Sequence, residues 1–170
     1  MTTLQDNTGD TPPLKRHPAL QPLSREHFNG LRLARRLSQA ADQDVAQRAL
    51  AVDEFEEAWH DEIAAHFDDE ERLLSGLVTD EDAMRLRDEH TRLRGFVEGM
   101  LRTRGDTDPA RLRQLGELLH DHIRWEERFL FQHVQDCASE DQLAHIAAAT
   151  REVETIRPGS RRRNSSDPRD

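Results

Sequence analysis

The sequence predicts an all-α fold: an up-down-up-down four-helix bundle over residues 21–136, with a short extra C-terminal helix. Apolar residues recur at intervals of three and four in long segments, and no segment alternates with period two. The breaks between these segments are short, which favours antiparallel packing of consecutive helices. With 170 residues, 35% hydrophobic and 34% charged, the chain has the size of one domain with a thin core.

The first helix is predicted to follow an irregular arm, residues 1–20, which is polar and contains prolines. Pro22 and Ser24 indicate its beginning, and it extends to about Ala41. His27 falls on its apolar stripe. The apolar positions at helical spacing are Leu23, Phe28, Leu31, Leu33, Ala34 and Leu37.

The second helix, from about Gln43 to Leu77, has the clearest periodicity. Its inward positions are Phe55, Trp59, Ile63, His66, Phe67, Glu70, Leu74 and Leu77. The third helix is predicted from about Asp80 to Arg104. Its inward positions are Met84, Leu86, His90, Leu93, Val97 and Leu101.

The fourth helix is predicted from Pro109 to about Val134, with Asp108 as its N-cap. Its inward positions are Leu112, Leu115, Leu119, His122, Glu126, Phe129, Leu130 and His133. A fifth helix is expected over residues 139–156. The tail, residues 157–170, is rich in arginine, serine and proline and is expected to be disordered.

Two histidine–glutamate pairs are the main functional signal. His66 and Glu70, and again His122 and Glu126, are four residues apart, so each pair lies on one face of its helix. Such pairs also occur on solvated helix surfaces, but the apolar neighbours of these two indicate buried faces. A buried carboxylate without a partner costs several kcal/mol, and a metal ion would remove that cost.

Inward histidines on the other two helices, His27 and His90, complete a set of six donors that we expect to meet in one layer. The set is His27, His66, Glu70, His90, His122 and Glu126. Imidazoles and carboxylates without thiolate suit iron, manganese or zinc. The two carboxylates can bridge two ions, two histidines can complete each ion, and an oxo or hydroxo group can form a further bridge.

These residues resemble the hemerythrin-like, or HHE cation-binding, family. The resemblance covers roughly residues 15–135 and depends on four segments in order. They are Leu23-Ser24-Arg25-Glu26-His27, His66-Phe67-Asp68-Asp69-Glu70-Glu71, His90, and His122-Ile123-Arg124-Trp125-Glu126-Glu127-Arg128-Phe129-Leu130-Phe131. The resemblance implies a four-helix bundle and a non-haem di-iron site with the six ligands above.

The chain departs from the oxygen carriers of that family, which have a fifth histidine paired at four residues on the third helix. Here Arg94 stands four residues after His90, and Leu86 four before it. A four-histidine site resembles the repair and sensor branch of the family more than the carriers. His133, seven residues after Glu126, is a candidate extra group at the same layer.

The remaining polar residues near these motifs have plainer interpretations. Glu71, Glu127 and Glu62 are expected to lie behind the ligands or on the surface. The other histidines, His17, His60, His120 and His145, are expected to have no part in the site. Cys137 is the only cysteine, which excludes an intramolecular disulfide and a cysteine-based zinc cluster.

Charge and hydropathy limit the partners. A net charge of −10 argues against nucleic acid, whose phosphates need a basic surface. No apolar run is long enough for a membrane span, and no hydrophobic leader is apparent, so we expect a cytoplasmic protein. The expected partner is a small diatomic gas or peroxide, and the expected state is a monomer or a homodimer.

Three functions remain open. The leading hypothesis is a non-haem di-iron protein that binds or senses O₂, nitric oxide or peroxide, or holds iron. The alternative is a di-iron oxidase, peroxide scavenger or iron–sulfur cluster repair factor, so enzymatic activity stays undecided. The chain has no tyrosine, which excludes a tyrosyl-radical mechanism. A metal-free helical adaptor is the third class.

Overall fold

The protein is all-α, as predicted. A computed structural model describes residues 15–102 and 108–156, and of residues 154–156 only the backbone; these ranges contain no strand. A 3₁₀ turn, Pro18–Leu20, leads directly into helix α1, Gln21–Ala40. The other helices are α2 (Val45–Ala58, Trp59–Ile63 and Ala64–Leu74), α3 (Asp80–Arg102), α4 (Pro109–Trp125, Glu126–Leu130 and Phe131–Cys137) and α5 (Glu140–Ile156).

Neighbouring helices of the bundle run in opposite directions. Between α1 and α2, Glu26 pairs with His66 and Arg32 with Glu54, so residue numbers rise on one helix as they fall on the other. The other pairs show the same direction: Glu71–His90 with Asp68–Arg94, Glu89–His122 with Asp82–His133, and Ser24–Glu127 with Asp42–Arg113. The helices therefore run up, down, up and down.

Both helices with a histidine–glutamate pair contain a π-helical turn. In α2 the turn is Trp59–Ile63, just before His66, and in α4 it is Glu126–Leu130. A π turn holds one extra residue and shifts the positions that follow it around the helix. Such turns are frequent at functional sites.

The π turn of α4 corrects one expectation of the sequence. Phe129, predicted to be buried, is 64% exposed, whereas Leu130 and Phe131 are fully buried. Because the turn adds a residue after Glu126, Phe131, five residues on, also faces inward beside Leu130. The Phe131 ring then stacks on the imidazole of His27, with centroids 5.2 Å apart.

Two other side chains lie outside the core that the sequence assigned to them. Phe28 and Met84 are exposed. Each directly follows a buried residue, His27 or Ala83, and successive residues point about 100° apart around a helix. The buried stripe therefore passes beside them.

The apolar core is divided into two clusters. The larger cluster contains Leu33, Leu37, Phe55, Val97 and Leu115 among others, and the smaller contains Leu20, Leu74, Leu86, Phe131 and Ile146 among others. On each of the four helices, the inward histidine lies where one cluster ends and the other begins. The site is thus a polar layer with apolar packing above and below.

Helix α5 closes one end of the bundle by packing on the 3₁₀ turn and on α1. Its Leu143 and Ile146 are buried in the smaller cluster. Ser139 begins the helix: its Oγ accepts from the N–H of Gln142, whose Oε1 accepts from the N–H of Ser139. This reciprocal pair resembles a capping box.

The arm differs from the irregular segment that the sequence predicts over residues 1–20. Its described end forms the 3₁₀ turn, where His17 Nδ1 accepts from the N–H of Ala19 and the side chains of Ala19 and Leu20 are buried. Burial against α5 accounts for this order. Residues 1–14, 103–107 and the tail, residues 157–170, lie outside the described residues.

Candidate metal centre

The six residues singled out from the sequence meet in one buried layer. Every helix of the bundle contributes: α1 one histidine, α3 one histidine, and α2 and α4 a histidine and a glutamate each. All six are buried, and His90, Glu70 and Glu126 have no measurable exposure. The cluster thus contains all six residues that helical spacing predicts to meet.

Glu70 lies between the two pairs of histidines. Its Oε1 is 3.2 Å from Nε2 of His27 and 3.2 Å from Nε2 of His66. Its Oε2 is 3.6 Å from Nε2 of His90. The carboxylate therefore faces histidines on both sides with different oxygens.

Glu126 has the complementary arrangement. Its Oε1 is 3.1 Å from Nε2 of His122 and 3.6 Å from Nε2 of His90, and its Oε2 is 3.2 Å from Nε2 of His27. The layer thus contains two groups of donors that could each hold a cation and that both include Glu70 and Glu126. We call them the first position, at His27 and His66, and the second position, at His90 and His122.

Several atoms that face the centre of the layer lack hydrogen-bond partners among the residues that the structure describes. They are Nε2 of His66, His90 and His122, Oε2 of Glu70, and Oε1 and Oε2 of Glu126. Buried polar atoms are almost always satisfied, because each orphan costs about 1–3 kcal/mol. Lone pairs converging from imidazole and carboxylate are the donor set of a borderline or hard metal ion. The residues therefore fit bound cations.

A carboxylate from a neighbouring helix holds the Nδ1 of each histidine. The four pairs are His27–Glu127 (2.6 Å), His66–Glu26 (2.6 Å), His90–Glu71 (2.8 Å) and His122–Glu89 (2.8 Å). An ionised carboxylate only accepts, so Nδ1–H donates and Nε2 faces the centre, where it can bind a cation once it has lost its own proton. This is the tautomer that metal-binding histidines use, with a partner that fixes the ring.

The carboxylate–histidine pairs follow the bundle in a closed ring: α1 supplies Glu26 to α2, α2 supplies Glu71 to α3, α3 supplies Glu89 to α4, and α4 supplies Glu127 to α1. The sequence predicts Glu71 and Glu127 to lie behind the ligands or on the surface, and it gives no such prediction for Glu26 and Glu89. The signal was available, because Glu-His occurs at 26–27 and again at 89–90.

Charge in the layer shifts the pKa values strongly when no metal is bound. Burial alone lowers the pKa of His66, but the charge of Glu70 and the bond with Glu26 outweigh it and raise the pKa to about 10. Burial likewise lowers the pKa of His122, and Glu126 with Glu89 raises it to about 9. A cation that binds in this layer would therefore have to displace protons from these histidines.

The two central carboxylates shift in the opposite direction. Burial and the neighbouring charge of Glu126 raise the pKa of Glu70, yet His66 and His27 outweigh both and hold it below its usual range. Burial raises the pKa of Glu126 also, and His122, His27 and His90 lower it well below its usual value. Both carboxylates are therefore ionised at neutral pH.

The other histidines lie apart from the layer. His133, the candidate extra group, donates from Nδ1 to Asp82 at 2.7 Å on the face of the bundle between α3 and α4. His60, His120 and His145 are exposed, as expected.

A small cavity adjoins the first position. Its volume is about 10 Å³, which is room for about one water molecule. Its lining includes His27, His66, Gly30, Glu62 and Ile123. Glu62 is buried and its Oε2 accepts from Asn29 Nδ2 at 3.0 Å. A Cβ on Gly30 would lie 2.7 Å from Ile123 Cδ1, so a larger residue here would have to displace the end of that side chain.

A helical bundle with a buried layer of four imidazoles and two carboxylates defines a metal-binding protein of the four-helix class. The family model of the hemerythrin HHE cation binding domain matches residues 19–124, and the chain belongs to this family. Comparisons with curated proteins and with solved structures gave no match. The family match includes five of the six residues; Glu126 lies beyond its end, and its place rests on geometry.

None of the helices in residues 15–102 and 108–156 combines the length and apolar character that a membrane crossing needs.

Proposed function

We propose that the chain binds two iron ions in this layer and binds or senses O₂, nitric oxide or peroxide, or holds iron. The observation that supports it most is the convergence of unpartnered Nε2 and carboxylate oxygens on two positions. Manganese and zinc are substitutes that the same donors accept. Iron would supply one-electron redox chemistry and open positions for a small ligand.

The protein's own residues have separate roles in this proposal. His27 and His66 would hold a cation at the first position, His90 and His122 would hold one at the second, and the carboxylates of Glu70 and Glu126 would be available to both. The four Nδ1-bound carboxylates keep the imidazoles oriented before a cation arrives. Apolar clusters on either side exclude water, which strengthens every electrostatic interaction in the layer.

The cavity supports a ligand of two or three atoms rather than an organic substrate. Of the six central residues, only His27 and His66 line this cavity, so a ligand that enters it would meet the first position. Its Ile63, Phe67, Leu119 and Ile123 side chains form an apolar lining that suits an uncharged gas.

The enzymatic alternative, a peroxide scavenger, oxidase or iron–sulfur cluster repair factor, has one specific observation in its favour. Glu62 is a carboxylate in the lining of this cavity, 5% exposed. Reduction of peroxide to water needs protons, and a buried carboxylate beside the first position is a suitable carrier.

Spectroscopy on the iron-loaded protein separates the two. A reversible change of the absorption spectrum when O₂ or nitric oxide is added and removed supports binding and sensing. Sustained peroxide consumption that falls in Glu62→Gln, with unchanged iron content, supports the enzyme. An iron-loaded protein with neither response would reduce the proposal to iron holding.

A further inference from the structure

Arg94 is linked to the second position by two routes. Its Nη1 donates to Glu71 Oε1 at 2.8 Å, and the same oxygen accepts from His90 Nδ1 at 2.8 Å. Its guanidinium also lies over the ring of Phe67, 5.6 Å from the centroid. That ring stacks on the imidazole of His90 at 3.9 Å and 6°.

At the other three carboxylates of the ring, no guanidinium of the described residues bonds to the oxygen that accepts from the histidine. Glu89 accepts from Arg85 at Oε1 and from His122 at Oε2. Glu127 accepts from Arg16 at Oε2, and its Oε1 accepts from His27 and from the hydroxyl of Ser24, which is neutral. Glu26 has His66 as its bonded partner within the described part of the chain, at 2.6 Å. Only at Glu71 do a guanidinium and an imidazole share one oxygen.

Sharing an oxygen weakens the bond to the histidine. A carboxylate that accepts from imidazole N–H draws the proton towards itself and makes the ring a stronger donor to a metal. A guanidinium on the same oxygen withdraws electron density and opposes that effect, and its positive charge acts in the same direction. His90 should therefore be the weakest of the four donors, and His66 the strongest.

We propose that Arg94 is a positioning residue that makes the two positions unequal, so that an iron at His90 and His122 is reduced more readily than one at His27 and His66. Hydrogen bonding behind a ligand and nearby charge are established means of setting a metal's potential. This inference rests on the proposed function, because it requires iron that changes its oxidation state.

The test compares midpoint potentials of iron-loaded variants, measured by titration with dithionite. Arg94→Met removes the charge and should shift the first reduction step to more negative potential. Arg94→Lys keeps the charge and should recover part of the shift. Glu71→Gln replaces the charged acceptor of His90 by a neutral amide and should shift the step in the positive direction, when all variants are loaded to the same iron content.

Arg113→Met is the matched control. Arg94 pairs with Glu71 and Asp68 across two helices, and Arg113 likewise forms an ion pair across elements, with Asp42, but on the surface and away from the layer. Its loss should leave the potential unchanged, even though it also removes one positive charge.

A potential in Arg94→Met equal to that of the wild type, or shifts of the same sign in Arg94→Met and Glu71→Gln, would overturn the inference. If Arg94→Met does not fold, the inference is tested by the potentials of Arg94→Lys and Glu71→Gln, which should shift in opposite directions. A second readout separates failure of this inference from failure of the proposed function. In zinc-loaded protein, the Nδ1–H proton resonance of His90 should move downfield in Arg94→Met while that of His66 stays, whether or not iron is the native metal.

Discussion

Glu26 Oε2 lies 2.6 Å from Nδ1 of His66, so a carboxylate on α1 orients a ligand on α2. Its sequence neighbour, His27, belongs to the same position of the layer. The dipeptide Glu26-His27 therefore supplies one histidine of the layer and orients another, and Glu89-His90 repeats the arrangement for the second position. Metal affinity should depend on these carboxylates even though they do not face the centre.

Loss of the Glu26 carboxylate should weaken metal binding without abolishing it. Partners behind metal-bound histidines typically account for about 10–100-fold in affinity, so Glu26→Gln should raise the Kd at the first position by that factor. Calorimetric titration of metal-free protein with zinc measures it. Glu54→Gln, which removes a surface carboxylate bonded to Arg32, is the control and should bind as the wild type does.

Loss of a ligand should have a larger effect. His66→Ala removes a donor to the first position and Glu126→Ala removes a bridge, so neither variant should load two ions. His145→Ala changes an exposed histidine of α5 and should load as the wild type does. Equal metal content in all three proteins would show that the ligand assignment is wrong.

Metal should stabilise the fold. Without it, buried donors and two buried carboxylates face one another in the layer, whereas a cation bound only by the folded state stabilises it by mass action. We expect the Tm of the metal-loaded protein to exceed that of protein from which a chelator has removed the metal (chelated protein) by several degrees or more in calorimetry. The same Tm in both states would contradict this account of the layer.

The stability of chelated protein should fall at alkaline pH. The pKa of His66 is raised from 6.5 to about 10 and that of His122 to about 9, so the folded state binds these protons more tightly than the unfolded state. The resulting stabilisation is fully present below pH 6.5 and is lost as the pH rises through 9 to 10.

Urea unfolding of chelated protein at intervals from pH 6 to 10 measures this loss. The background is small, because Lys15 is the only lysine and the chain contains no tyrosine. His66→Ala should show a shallower decline. A midpoint that stays constant or increases over this range would contradict the charge balance described for the layer.

Filling the cavity should block small ligands while leaving the metal in place. In Gly30→Ala the new methyl group would meet Ile123 Cδ1 at 2.7 Å, so we expect slower nitric oxide binding at unchanged iron content. Stopped-flow absorbance measures the rate. Ile123→Val removes the opposing methyl and should restore binding in the double variant.

Gly95→Ala is the control for this experiment, since nothing lies within 4 Å of a Cβ at that helical position. It should bind nitric oxide at the wild-type rate and be slightly more stable, because alanine favours a helix by about 1 kcal/mol over glycine. Identical rates in Gly30→Ala and Gly95→Ala would show that the ligand does not pass through the cavity.

The sequence was sufficient for the fold and for the six central residues because both follow from helical spacing. His66 and Glu70, or His122 and Glu126, share a face whatever the rest of the chain does. The inward stripes then bring the faces together. The identity of the cation has no such signature, because the same donors suit iron, manganese and zinc.

Two features could not be read from spacing. The π turn at Glu126–Leu130 adds one residue to a turn and leaves no mark on the periodicity, so Phe129 was assigned to the core although it is exposed. Glu89 is one of many charged residues on α3, and helical spacing does not connect it with His122 on α4; apart from the repeated Glu-His dipeptide, its role is seen only in the 2.8 Å contact.

Metal content per chain tests the central claim most directly. The protein should be purified without chelators and without an affinity metal column, and its iron, manganese and zinc measured together with protein concentration. The account predicts about two ions per chain, chiefly iron. A well-folded protein that contains no metal and takes up none when iron is added would contradict it.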